Sequence, residues 1–173
     1  MALTRARPIF GSVEARASLQ RIVEGTLLTP RDPKKLITDA SRMRSDMAMH
    51  KPASGPFDIK LGDGGLVDLE FAVHTLQLRH RTALHPQLLV AVRELVREGL
   101  VPAEIEEAHS LLTRMLVTLR LVSPRSDQPP AASRELVARA CRMDGWNSLL
   151  AAHDAARHRV FELWRDVAAH HGD

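Results

Sequence analysis

The chain is 173 residues long, 45% apolar and 26% charged, with a net charge of +3. That length suits one ordinary domain with a real core, and the composition excludes a disordered chain. No apolar run approaches the eighteen or so residues of a membrane span, and the dispersed arginines read as a solvated surface, not a nucleic-acid footprint.

The opening MALTRARPIF has no apolar signal-peptide core. The single Cys141 excludes an internal disulfide and fits a reducing compartment, so the expected location is cytoplasmic. Aromatics make up 3% and Tyr is absent, leaving Leu, Val, Ala and Met to build the core; that palette favours helix. Val13 to Leu28 reads as a first helix with Val13, Leu19, Ile22, Val23 and Leu27 as its apolar positions. Asp32 before Pro33 makes an N-cap and first-turn pair for a second helix through His50, with Leu36, Ala40, Met43 and Met47 facing inward. KPASGP stops it. Phe57 to Gly65 is too short and glycine-rich for helix, and Phe57 to Lys60 reads as the one strand-like stretch. A third helix spans Leu66 to His80. Pro86 opens a fourth through Leu100, with Leu88, Leu89, Val92, Leu95 and Val96 as its apolar side. Pro102, followed by Glu104, Glu106 and Glu107, opens a fifth to Val122, the acids suiting the helix dipole. SPRSDQPPAAS is a loop, Ser133 begins a short sixth helix that ends near Gly145, and Asn147 to about His170 is the last, burying Leu149, Leu150, Val160, Leu163 and Trp164. The fold expected is all-α, an antiparallel bundle with a four-helix up-down core and extra helices. The chain divides into an N-terminal helical segment (1–30), a core bundle (31–123), a loop (124–132) and C-terminal helices (133–173).

The chemistry concentrates in FDIKLGDGGLVDLEFAVHTLQL, Phe57 to Leu78. On a strand Asp68-Leu69-Glu70 would send both carboxylates to one face and share a metal; on a helix they lie about 200° apart and cannot. The helical period puts Glu70, His74, Gln77 and Arg81 between two apolar strips. It leaves Asp68, Ala72, Thr75 and Arg79 as the side free to meet solvent. Glu70 is therefore expected inside a buried arc, needing a partner such as Lys60 or an N-terminal arginine. The bland reading of it is a structural ion pair; the sharper one is a direct role at a ligand. Asp63-Gly64-Gly65 permits positive φ ahead of a helix N-terminus, which suits either a tight capped turn or a phosphate. His153, His158, His170 and His171 have no zinc-ligand spacing, and no Walker-type loop is present.

FDIKLGDGGLVDLEF resembles the signature of glutamine synthetase adenylyltransferases: Phe-Asp-Ile/Val-Lys, a Gly-Gly turn, then apolar-Asp-apolar-Glu-Phe. ALTRARPIFG is similar to the family's segment just after a nucleotidyltransferase module, and PRDP, MRSDMAMHKP and HTLQLRH follow in the family's order. The resemblance covers about residues 2 to 81. It implies a helical domain related to that of the PII uridylyltransferases, taken from an enzyme that uses ATP and Mg²⁺. That enzyme attaches AMP to a tyrosine of glutamine synthetase and removes it, under the PII signalling protein and glutamine. Asp68 after the glycine pair suggests the C-terminal, AMP-adding half. The family's Gly-Ser and Asp-x-Asp catalytic module is missing, so this chain is expected to have no catalytic residues, metal or cofactor of its own. Its expected partners are glutamine synthetase, PII and that nucleotidyltransferase module. Lys60, Gly64, Gly65, Asp68 and Glu70 are the candidate residues facing the active site or domain interface, with Asp68 as an exposed acceptor. The alternatives are a free-standing helical adaptor that binds a protein through its Leu-rich faces and, more weakly supported, an arginine-dependent RNA binder.

Overall fold

A computed structural model describes residues 1–124 and 126–169. They form a 3₁₀ turn over Ala2–Arg5 and seven α-helices: α1 (Val13–Leu28), α2 (Pro33–His50), α3 (Leu66–His80), α4 (Leu88–Arg97), α5 (Glu104–Val122), α6 (Ala131–Ala140) and α7 (Trp146–Ala169). Among the described residues there is no strand, and Phe57 to Lys60, expected to be strand-like, is a run of turns. His170 and His171 lie outside the described residues. Local chemistry sets several boundaries. Ser12 accepts from the Ala15 N–H at 3.2 Å and Asp32 from the Lys35 N–H at 3.0 Å, each satisfying a first-turn donor. Helix α3 stops at Arg81, which takes a left-handed conformation (φ 57°). Helices α4 and α5 begin two residues later than the prolines suggested, and α6 begins two residues before Ser133.

Helix α3 is the centre of the molecule, packed by α2, α4, α5 and α7. Its Leu69, Val73 and Leu76 join Val92 and Leu95 of α4, Ile105, Leu112 and Met115 of α5, and Leu149 and Val160 of α7 in the main core. On another side Val67 and Phe71 meet Ala40 of α2, and Phe71 sets its edge against Trp164 at 5.7 Å. Helix α2 turns inward on Ile37, Ala40 and Arg44, about a sixth of a turn from the expected face, and Met43 is exposed. Helix α1 departs further. Only Val23 and Leu27 are buried, against Leu78, while Val13, Leu19 and Ile22 remain exposed at 67%, 47% and 64%.

The core also encloses a histidine. His153 of α7 is 3% exposed, stacks on Phe57 at 6.1 Å, and its Nε2 has no hydrogen-bond partner. Burial and the nearby Arg157 push its pKa down from 6.5 to about 4, outweighing the exposed Asp154 carboxylate. His153 is thus neutral when folded, whereas the unfolded chain takes up a proton at that side chain below about pH 6.5. The sign follows directly: its contribution is fully present above pH 6.5 and is lost as pH falls from 6.5 to 4. A 2.5-unit separation corresponds to about 3 kcal/mol. Denaturant unfolding across that window should show the loss, and His153→Phe should flatten it. An unchanged slope in the variant would contradict the assignment.

Candidate domain-interface site

The signature loop is organised by Asp58, a residue that reading the motif had passed over. Its Oδ1 accepts the N–H groups of Lys60 at 3.2 Å and Leu61 at 2.9 Å, and its Oδ2 accepts the N–H and the hydroxyl of Ser54, both at 3.0 Å. Burial would raise the Asp58 pKa, but these bonds to the charged form outweigh it and hold the carboxyl below its ordinary value. The chain then folds back on itself. Gly62 donates to the Asp58 carbonyl, Gly65 to Gly62, Leu66 to Ile59 and Val67 to Lys60. These bonds, with Gly64 donating to Asp68 at 2.6 Å, consume the N–H groups that a phosphate at this turn would need. The tight turn expected at Asp63-Gly64-Gly65 is observed but the Asp63 cap is not: Gly65 is the N-cap of α3 with no side-chain capping bond, and the Gly64 N–H is held by Asp68.

Gly64 has φ +69°, and a Cβ there would lie 2.1 Å from the Arg157 carbonyl oxygen. A Cβ on Gly65 would sit 2.7 Å from the carbonyl oxygens of Gly62 and Ile59. Gly65 thus lets the loop close on itself and Gly64 lets it lie directly on the α7 backbone, where the Arg157 Nε donates to the Asp63 carbonyl at 2.8 Å.

Asp68 corrects the sequence reading. It is 3% exposed, not solvent-facing, and its Oδ1 accepts from the Arg44 Nε at 2.5 Å while Oδ2 holds Gly64. Ala72 and Thr75, placed on the same open side, are both 0% exposed. The physical reason is enclosure: 12 of the 15 residues of α3 are buried, so a period that seeks one wet face has none to find. Glu70 is corrected in the opposite sense. Its side chain is 29% exposed, and its partner is Arg5, 3.2 Å away and itself 59% exposed. The expected N-terminal arginine is present; Lys60 is exposed and does not pair with Glu70.

Along the same helix Gln77 donates from Nε2 to the Ala83 carbonyl at 2.5 Å, so its carbonyl faces the His74 Nδ1 at 2.8 Å. His74 therefore carries its proton on Nδ1, and the bare Nε2 is buried without a partner. Burial lowers its pKa, outweighing the bond to Gln77 and the nearby Glu70 carboxylate, which raise it.

Arg44, Asp58 and Arg157 are the site residues that motif reading missed. Arg44 had a signal, since a guanidinium seven residues after Ile37 and four after Ala40 shares their inward face. Asp58 had a weaker one, an aspartate at the head of a turn whose following N–H groups it can accept. Arg157 had none, because its contact is with a loop 94 residues away. Together these groups tie α2, α3 and α7 to one loop, leaving Lys60, Asp63, Glu70 and Arg5 on the outside. The carboxylates do not fit a magnesium–triphosphate site: Asp58 and Asp68 are spent on donors and Glu70 on Arg5. Among the described residues no group of three or more His, Cys, Asp or Glu side chains gathers as a metal site. Nor is any described helix long and apolar enough to cross a membrane.

The family model described as GlnD PII-uridylyltransferase matches residues 37–168. The bifunctional glutamine synthetase adenylyltransferase/adenylyl-removing enzyme of Brucella suis biovar 1 is 34% identical over 154 residues, which cover 84% of this chain and 15% of the relative. That of Xanthobacter autotrophicus is 33% identical over 184 residues, covering 98% of this chain and 18% of the relative. That of Caulobacter vibrioides is 40% identical over 101 residues, covering 54% of this chain and 10% of the relative. The chain thus spans less than two thirds, in fact a small part, of each of these curated relatives. With an all-helical structure and a family match running from α2 into α7, the chain belongs to the GlnD PII-uridylyltransferase family, as a helical domain related to those of glutamine synthetase adenylyltransferases.

Proposed function

We propose that this chain is the noncatalytic helical domain of a glutamine synthetase adenylyltransferase, from the half that adds AMP, and that it braces the nucleotidyltransferase module. In the whole enzyme that module would use ATP and Mg²⁺ to transfer AMP to a tyrosine of glutamine synthetase, with PII and glutamine setting the balance. No step of the transfer is assigned to a residue of this chain. One observation carries the bracing role. Ile9 and Phe10 are 84% and 94% exposed, and Leu19 and Ile22, about 60° apart on α1, are uncovered as well. Large apolar side chains left open in this way suit burial against another module. Arg5, shortly before Ile9 in the chain, pairs with Glu70, which supports including the outer side of the signature helix in the same boundary.

Two measurements test this. Incubated with labelled ATP, Mg²⁺ and glutamine synthetase, the chain by itself should leave no label on the synthetase; label above background refutes the noncatalytic assignment. Mixed with a separately produced nucleotidyltransferase module, the chain should associate, and Phe10→Asp with Ile22→Asp should weaken that association at least tenfold without altering the circular dichroism. Unchanged association in the variant removes this face from the interface. The adaptor reading retains one supporting feature elsewhere: Val117 and Leu121, one turn apart on α5, are 57% and 82% exposed.

A further inference from the structure

The signature loop also forms one wall of a small pocket that the bracing role does not use. It has a volume of about 210 Å³ and lies between Ser54 and residues 57–61 on one side and, on the other, the last turns of α5 with Ser123, Pro124 and Ser126. Its polar lining is Ser54, Ser123, Ser126, Lys60 and Arg120, over a floor that includes Asp58. Lys60 and Arg120 come from distant parts of the chain, and among the described residues neither pairs with a carboxylate. Asp58 does not serve them, because its two oxygens already accept four bonds from Ser54, Lys60 and Leu61 backbone and hydroxyl groups. Lys60 and Arg120 therefore line one pocket without an ion-pair partner; the Asp58 carboxylate in the same lining offsets part of their charge but is turned to its own four donors, so the two cations still favour an anion between them.

The hydroxyls suit the same guest. Ser54 Oγ lies 3.0 Å from both Asp58 Oδ2 and Ser126 Oγ. Since Ser54 has one proton and gives it to the carboxylate, the proton between the two serines belongs to Ser126. Ser126 can turn that proton to an incoming oxygen while the Asp58 bond stays intact. The backbone here is fixed with unusual geometry: Ser126 has φ 61° and its carbonyl accepts the Phe57 N–H at 3.1 Å. A compact ammonium and a planar guanidinium fork are the cations that phosphate sites use. The volume is below the roughly 300–1,000 Å³ of drug-sized sites, so it suits a tetrahedral oxyanion and leaves no room for a nucleoside beside it.

We propose that this pocket binds a phosphate group through Lys60, Arg120 and Ser126, either as free inorganic phosphate or as the terminal phosphate of a molecule whose remainder stays outside. Titration of the 173-residue chain with inorganic phosphate and, separately, with AMP, at constant ionic strength and followed by calorimetry and ³¹P NMR, tests it. Saturable binding is expected, weakened about tenfold by Lys60→Gln or Arg120→Gln and abolished in the double variant. Both side chains are exposed, so the melting temperature without phosphate should not move. AMP binding tighter than phosphate identifies a phosphomonoester as the guest, and equal or weaker binding identifies the free anion. Absence of saturable binding at millimolar concentrations of both, or binding that survives in the double variant, overturns the proposal.

Discussion

Asp68→Ala should lower the unfolding free energy by about 3–5 kcal/mol, because it leaves a buried guanidinium without its counter-charge. The Arg44 side chain is 10% exposed and the Asp68 side chain 3%, so water cannot replace the lost carboxylate. The Gly64 N–H loses its acceptor in the same substitution. Removing both charges together, Arg44→Met with Asp68→Leu, should recover part of the loss, since an apolar pair of similar volume has no desolvation penalty to offset. Glu70→Ala is the internal comparison. Its ion pair with Arg5 is open to solvent on both sides, and such pairs contribute about 0–1 kcal/mol. Urea unfolding of the four proteins gives the ranking. Equal losses for Asp68→Ala and Glu70→Ala would mean that the two carboxylates do not differ as their surroundings require.

Gly64→Ala should cost about 2–5 kcal/mol by two independent effects. The left-handed backbone at φ +69° disfavours any side chain by roughly 1–2 kcal/mol. The added methyl would then meet the Arg157 carbonyl at 2.1 Å, an overlap that only movement of the loop away from α7 can relieve, for about 1–3 kcal/mol more. Gly25→Ala provides the contrast. It lies within α1, and a Cβ there meets nothing within 4 Å, so the change should stabilise by up to about 1 kcal/mol. Thermal unfolding should move in opposite directions for the two variants. A shift of the same sign and size would show that the loop does not rest on α7 as described.

Helix positions were legible because they depend on neighbours in the chain. Asp32 with Pro33, the stop after His50 and the apolar rhythm from Leu66 to His80 are local signals, and α1, α2 and α3 fall within the expected limits. Helix faces were less legible because they depend on what lies opposite. The spacing of Val13, Leu19 and Ile22 promised burial, yet nothing among the described residues covers them. For α3 the difficulty was reversed, with neighbours on every side. Asp68 and Glu70 thus exchanged their expected surroundings, and the partner that decides the matter, Arg44, sits on another helix. The candidate residues were partly legible. Gly64, Gly65 and Asp68 do act together, but as supports of the loop, while Lys60 lines a separate pocket.

The enclosure of α3 bears on the order in which the chain can fold. Its companions are separated from it along the sequence, α2 before it and α7 up to 94 residues later by the Asp63–Arg157 bond. Contacts that distant make folding slow relative to a simple hairpin of helices, because loop closure precedes any reward. During synthesis the first five helices would leave the ribosome with the sides of α3 and α5 that face α7 still bare. Only when α7 emerges can Leu149 and Val160 cover them and the Arg157 backbone meet the loop at Gly64. The last helix is therefore a keystone in time as well as in space, and a nascent chain stalled before Trp146 should be sensitive to protease throughout.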